Sequence, residues 1–273
     1  MMKINRKMSR TKEIIQVEKW ISLWSIGQEY SLEDIKQIKE HDFNGVEIWA
    51  EHHLAEQAFK YANECDLQIG LHLPFHDLNL ATQYDEIAAY TLALTKKWIK
   101  KLAYYNGSHA VIHGGQAMAS EDLDKVYPKM IERLKELSDF SLANNVDLLF
   151  ENQIPDGLNY MHILPSNIEE WLDVLNKTNT KACLDVGHLA IQGDEFKDTV
   201  NRLGGLLKSI HLSDNDGKSD LHLLPNDGTV IQNNIINVLS KQNYQGPVVF
   251  EINPYKYSLK DILEHPSVKE FNI

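Results

Sequence analysis

Hydrophobic and polar positions along this chain follow two alternating rhythms. Short runs rich in β-branched and aromatic residues occur as WISLWS near 20–25, GVEIW at 45–49, QIGLH at 68–72 and AVIH at 110–113. They continue as DLLFEN at 147–152, ACLDVG at 182–187, KSIHLS at 208–213 and VVFEI at 248–252, and all eight read as strands. Between them lie amphipathic stretches such as SLEDIKQIKEH, KMIERLKELSDFSLANN and NIEEWLDVLNK, which read as helices. Ser31 with Asp34, Ser166 with Glu169 and Ser258 with Asp261 carry the signature of helix N-caps.

Eight strand–helix units in 273 residues predict the α/β class and a single-domain (β/α)₈ TIM barrel over residues 19–273. Residues 1–18 read as an N-terminal tail, basic but without the apolar stretch of a signal peptide.

Polar residues recur at one place in this pattern, the C-terminal end of nearly every strand. Glu47 is assigned to the end of the second strand, His72 the third, His113 the fourth and Glu151 the fifth; Asp185, His211 and Glu251 end the sixth to eighth. In a TIM barrel those ends converge on one mouth. The two-residue period of a strand sharpens the point. Glu151 shares a face with Leu149, Asp185 with Cys183, and Glu251 with Val249, so three carboxylates can point into the barrel together. Unpaired they repel, and a divalent cation is the simplest resolution. Glu151, Asp185, His211 and Glu251 form a mixed O/N donor set suited to Mn²⁺, Zn²⁺, Co²⁺ or Mg²⁺. A hydrogen-bonded polar plug closing the barrel top is the alternative.

His72, His113, His188, Asp220 and His222 lie around this set as substrate-binding residues or further metal ligands. His76 and His162 read as solvated or structural. Trp24, Glu47, Trp49 and Phe75 are assigned to the wall of a small-molecule pocket, where aromatic faces suit the C–H faces of a sugar.

Composition narrows the partners. The chain is 43% hydrophobic and 24% charged, with a net charge of -12, which disfavours a broad phosphate-tracking surface for nucleic acid. No apolar run approaches the roughly 20 residues that span a bilayer. Two cysteines, Cys65 and Cys183, suggest no disulfide framework and fit a reducing cytoplasm. Barrels of this size often associate, so a homo-oligomer is compatible with the sequence.

The motifs GVEIW, LHLPF, VIHGG, LLFEN, CLDVGHL, IHLSDNDGKSDLH and VVFEI together resemble the xylose-isomerase-like TIM-barrel superfamily over roughly residues 19–270. That superfamily holds sugar isomerases, ketose epimerases and endonuclease IV. The resemblance implies that Glu151, Asp185, His211 and Glu251 ligate the principal metal. It also implies that the two glutamates act as acid and base on opposite faces of a substrate, which the residue at His188 helps to bind. All nine ligand types of the three-zinc cluster of endonuclease IV have a match: His72, His113, Glu151, Asp185, His188, His211, Asp220, His222 and Glu251. Departures exist. The usual Gly-x-Gly turn reads Asn226-Asp227-Gly228, and Leu221 stands where the nuclease has arginine. The epimerases' substrate arginine is absent, with Lys218 the nearest cation.

The expected activity is a metal-dependent isomerase or epimerase of a small sugar or polyol ketone, working through an enediolate with Glu151 and Glu251 as acid and base. An endonuclease IV-like phosphodiesterase, a lyase or dehydratase on a related polyol, and a non-catalytic binding barrel are the competing readings.

Overall fold

Strand and helix signals alternate along the chain, and in space the strands close on themselves. The computed structural model describes residues 17–231 and 235–271. Eight strands form a closed barrel in which each neighbouring pair is parallel: β1 (Glu18–Ser22), β2 (Gly45–Trp49), β3 (Gln68–His72), β4 (His109–Ile112), β6 (Asp147–Glu151), β8 (Lys181–Asp185), β9 (Leu207–Leu212) and β10 (Pro247–Phe250). Helices α1 (Leu32–Glu40), α2 (Ala55–Glu64), α3 (Asp85–Tyr104), α4 (Leu123–Ala143) and α5 (Ile168–Thr178) follow successive barrel strands. α6 (Val186–Gln192), α7 (Phe196–Leu203), α8 (Ile235–Lys241), α9 (Leu259–Glu264) and α10 (Pro266–Lys269) complete the outer layer. Among the described residues no helix is long and apolar enough to cross a membrane.

The structure departs from the sequence reading in four places. β5 (Gly115–Met118) and β7 (Met161–Leu164) form a separate antiparallel pair above the barrel mouth, a feature the eight-strand pattern did not include. Their stretches, GQAM and MHIL, are too short and too mixed to announce strands. β1 already starts at Glu18 with Val17 buried beside it, so the barrel begins before the expected boundary; residues 1–16 of the expected tail lie outside the described residues. Ser31 and Ser258 cap their helices through reciprocal bonds with Asp34 and Asp261. In α5 the cap is Asn167 rather than Ser166: its side chain accepts from Glu170 N, while Ser166 donates to Glu170 Oε2. The last difference concerns Glu47, which lies in mid-strand because the strand runs on to Trp49.

Two cores result from the two-residue period. Outward-facing Val46, Ile48, Leu71, Ala110, Phe150, Leu184, Ile210 and Phe250 meet the helices in one continuous apolar sleeve. The bore is filled separately by Trp20 at its base and by Val111, Leu149 and Cys183 above. Trp20 fits only because its neighbours lack side chains. A Cβ on Gly45 would lie 2.4 Å from the indole, and one on Gly70 would lie 2.8 Å from His109 Nε2. The apolar filling stops there, and polar side chains occupy the rest.

This packing generates a stability test. Trp20→Ala should lower stability by about 3–5 kcal/mol, the usual cost of deleting a buried tryptophan side chain. Gly45→Val should be at least as damaging, since its added atoms collide with the indole. Urea midpoints measure both, and wild-type midpoints would show that the base of the bore is not packed as described.

Candidate active site

Strand ends place the functional side chains, and the walls of the bore turn them inward. Glu151, the last residue of β6, is the meeting point. Its Oε2 lies 2.9 Å from His113 Nε2 and 3.4 Å from His72 Nε2, while its Oε1 lies 3.3 Å from His211 Nδ1 and 3.7 Å from His188 Nδ1. Glu251, just past β10, brings Oε2 to 3.1 Å from the same His211 Nδ1. Asp185 ends β8 and caps α6, accepting from the His188 backbone N–H at 2.7 Å. The backbone around Glu151 is anchored from outside, because Trp171 of α5 donates to Phe150 O at 3.0 Å.

Donor atoms of Glu151, Asp185, His211 and Glu251 all lie within 4.8 Å of one another. Ligands at about 2.4 Å from a shared ion can be no further apart than roughly this span. Two further groups meet the same measure: His72, His113 and Glu151, and His188, Asp220 and His222. All nine residues singled out in the sequence as ligands or substrate contacts therefore stand at one mouth.

Hydrogen bonding tells which atoms are free. His72 Nδ1 lies 3.0 Å from Leu73 O, His188 Nδ1 lies 2.8 Å from Asn152 O, and His222 Nδ1 lies 3.0 Å from Glu251 O. A carbonyl can only accept, so Nδ1 carries the proton and a neutral ring presents an Nε2 lone pair. Those lone pairs face carboxylate oxygens: Glu151 Oε2 for His72, and Asp220 Oδ2 at 3.5 Å and 2.9 Å for His188 and His222. His211 is reversed. Its Nε2 lies 3.1 Å from Glu47 Oε1, leaving Nδ1 toward Glu151 and Glu251 without a hydrogen-bond partner. Asp185 Oδ2 is buried and unpartnered as well. Lone pairs that face one another need a cation between them, and the donor set and these orphaned atoms fit a divalent ion.

Without a metal, protons take that place. Burial lowers the pKa of the His72 and His222 imidazoles, but Glu151 and Asp220 outweigh it and hold both at about 9. Burial again opposes for His188 and His211, and the surrounding acids carry both well above the ordinary histidine value. Burial would raise Glu47, Glu151 and Asp220, yet the imidazoles around them hold all three below the usual carboxylate range. Asp185 goes the other way, pushed up to about 6 by burial and by Glu151 and Asp220 beside it.

Trp24, Trp49 and Phe75 line a cavity of about 820 Å³ over this cluster, together with His72, His113, Glu151, His188, Asp220, His222 and Glu251. Trp24 sets its ring edge on His222 at 5.0 Å, and Phe75 packs on His113 at 4.6 Å. Glu47 is not part of the wall. It is fully buried beneath His211, with Oε2 3.5 Å from His109 Nε2, because mid-strand position drops it one layer into the bore. His76 is exposed at the rim and paired with Glu51, and His162 sits half-buried on β7.

Three supporting residues escaped the sequence reading. Asn152 clamps Asp185 through two bonds, accepting from its N–H at 2.7 Å and donating to its carbonyl at 3.0 Å, while its own carbonyl fixes His188. His109 shares the face of Val111, and that period could have revealed it as a bore residue. Asp214 is buried and accepts backbone N–H groups from Asn215, Asn226, Gly228, Val230 and Ile231. It shapes the Asn226-Asp227-Gly228 turn, where a Cβ on Gly228 would lie 2.4 Å from Asp214 Oδ1.

Comparison with known proteins agrees with this architecture. A family profile described as xylose isomerase-like TIM barrel matches residues 35–267. An uncharacterized protein of Methanocaldococcus jannaschii is 23% identical over 89% of each chain. Fructoselysine 3-epimerase of Escherichia coli O157:H7 is 20% identical over 54% of this chain and 53% of its own length. Inosose dehydratase of Bacillus anthracis is 20% identical over 50% of this chain and 53% of its own. The crystal structure of a D-tagatose 3-epimerase-like protein superposes with a TM-score of 0.77 at 22% identity, covering 93% of this chain and 97% of that one.

Two measurements test the electrostatics. Histidines whose pKa is raised by folding add stability that is fully present below their unfolded value near 6.5 and is lost as the pH climbs through the folded value. For His72 and His222 that folded value is about 9. Metal-stripped protein should therefore lose thermal stability between about pH 6.5 and 9.5, and saturating Zn²⁺ or Mn²⁺ should remove the slope. A flat melting profile in the stripped protein would count against the charge pairing. Separately, Glu47→Gln should weaken metal binding about 10–100-fold, as loss of an orienting carboxylate does. Competition with a chelating dye reads this out, and unchanged affinity would reduce Glu47 to a filler.

Proposed function

Since the chain belongs to the xylose isomerase-like TIM-barrel family, we propose that it is a metal-dependent isomerase or epimerase of a small hydroxylated carbonyl compound, a keto-sugar or polyol ketone. The observation that carries this reading is the approach of two glutamates from different strands to one imidazole atom. Glu151 Oε1 and Glu251 Oε2 lie 3.3 Å and 3.1 Å from His211 Nδ1, and both side chains line the cavity. The ion would be held by Glu151, Asp185, His211 and Glu251, and Mn²⁺, Zn²⁺, Co²⁺ or Mg²⁺ suits such donors. When bound it would supply the polarisation that acidifies a C–H beside a carbonyl.

The rest is work for the protein. Both glutamates have pKa values below the ordinary carboxylate value, held there against burial by His113 and His211 for Glu151 and by His211 for Glu251. They are ionised at neutral pH and able to accept a proton. Glu251 is the more open of the two, 13% exposed against 2% for Glu151, so it is the better placed to remove the substrate proton. Glu151 can pass to the opposite face a proton that it takes from His72, whose Nε2 lies 3.4 Å from Oε2, which gives an epimer; return of the abstracted proton by Glu251 to the neighbouring carbon gives an isomer. His188, fixed by Asn152, orients substrate oxygens. Trp24, Trp49 and Phe75 wall the sugar. The two buried free thiols fit a cytoplasmic setting.

A phosphodiesterase reading has one observation in its favour, the three separate donor groups at the mouth. It is opposed by the cavity wall, which among the described residues includes no lysine or arginine to meet phosphates. A dehydratase, as in the relative named above, shares the first proton removal and differs in the product.

A panel of ketoses incubated with the Mn²⁺-loaded protein in deuterated water is the direct test. Deuterium should enter at a carbon beside the carbonyl, and Glu251→Gln should slow this by about 10²–10⁴-fold, the usual share of a general base. Nicking of a duplex with one abasic site, with zinc supplied and no ketose exchange, would overturn the reading. About one tightly held ion per chain supports the isomerase, and about three zincs support the nuclease.

A further inference from the structure

The cavity wall has two chemically different ends. One is the polar cluster of Glu151, Glu251 and the mouth histidines. The other is built from Leu78, Leu80, Ile87, Ile112 and Ile163, and it extends to Thr95 on α3. Thr95 is only 1% exposed and still lines the cavity, so this arm reaches the packed face of the helix. Cations are excluded from the wall by being occupied behind it. Arg133 donates to Leu80 O at 2.7 Å and Thr82 O at 2.6 Å, and Lys129 donates to Gln83 O at 3.3 Å. At the arm, away from the mouth histidines and the carboxylates they pair with, the one charged side chain on the wall is Asp77, which would repel an anionic group on a ligand. A volume of about 820 Å³ lies in the upper part of the roughly 300–1,000 Å³ range of pockets that hold drug-sized ligands. A free sugar would leave much of it empty.

We propose that the substrate is an uncharged keto-sugar or polyol ketone carrying an apolar substituent. Its sugar end lies against Glu151 and Glu251, and its apolar end fills the arm lined by Leu78, Leu80, Ile87, Ile112 and Ile163. The assignment of the sugar end rests on the isomerase reading; the assignment of the arm rests on the wall alone.

The test uses the full chain loaded with Mn²⁺ and two separate readouts. Calorimetric affinities are measured for the 1-O-methyl, 1-O-butyl and 1-O-hexyl ethers of fructose below their micelle concentrations, with fructose and fructose 1-phosphate alongside. Each methylene that enters the arm should tighten binding about fourfold, on the order of 50-fold from methyl to butyl. Fructose 1-phosphate should bind more weakly than fructose. Ile87→Gln and Ile163→Gln alter half-exposed or exposed side chains and leave the core intact, so they should flatten the chain-length gain without loss of fold. Equal affinities for the methyl and hexyl ethers, a gain that survives both variants, or tighter binding of the phosphate would overturn the proposal. Deuterium exchange on free ketoses is read independently. A chain-length gain without exchange supports the arm and sinks the isomerase reading, whereas exchange without a gain sinks the arm alone.

Discussion

Everything at the mouth of this barrel depends on the compensation of buried carboxylates by imidazoles. Glu47, Glu151 and Asp185 are almost wholly removed from water, and Glu251 is nearly so. Ionised carboxylates in such surroundings are costly unless paired and hydrogen-bonded. Here each faces at least one histidine, and Glu151 faces four. The cluster is stable as a set of ion pairs when protonated and, by the same donors, suited to a divalent ion when not. Around the rim Asp185 and Glu151 stand on neighbouring strands, and the imidazoles that compensate them come from His211 on one side and His113 and His72 on the other.

The cluster also dictates how the fold is held together. A bore half filled with polar groups contributes little hydrophobic stabilisation, so the apolar sleeve between strands and helices must supply most of it. Trp20 at the base plugs the lower bore in one side chain, which allows the upper half to be given over to chemistry. Rigid orientation comes from backbone carbonyls: those of Leu73, Asn152 and Glu251 each fix one imidazole, and the Asn152 amide fixes Asp185. Such supports select the ring nitrogen that faces the cavity, which a flexible loop could not do.

Above the cluster, the antiparallel pair β5–β7 and the loop before α3 build a wall that barrel strands alone would not provide. Asn79 links them, donating to Gln116 O at 2.7 Å and accepting from Gln116 N at 3.1 Å. This superstructure turns an open mouth into a cavity in which the carboxylate–imidazole cluster and the apolar side chains of Leu78, Leu80 and Ile163 share one wall.

Sequence alone determined the barrel and which carboxylates and imidazoles face its mouth, because both follow from short-range periods. Strand–helix alternation fixes the topology, and the two-residue period sends Glu151, Asp185 and Glu251 inward with Leu149, Cys183 and Val249. The strand itself was read at its observed length, but Glu47 was placed at its end and on the pocket wall; it stands in the middle of Gly45–Trp49, one layer down in the bore under His211. What only tertiary structure decided is relational. Which nitrogen of His211 faces the carboxylates depends on Glu47, 164 residues away, and the orientation of His188 depends on a carbonyl 36 residues away. The β5–β7 pair exists because two weak segments meet, and the anchoring role of Asp214 appears only when its loop folds back on it. Local patterns encode which residues face inward; the distances between them are set by how the strands close.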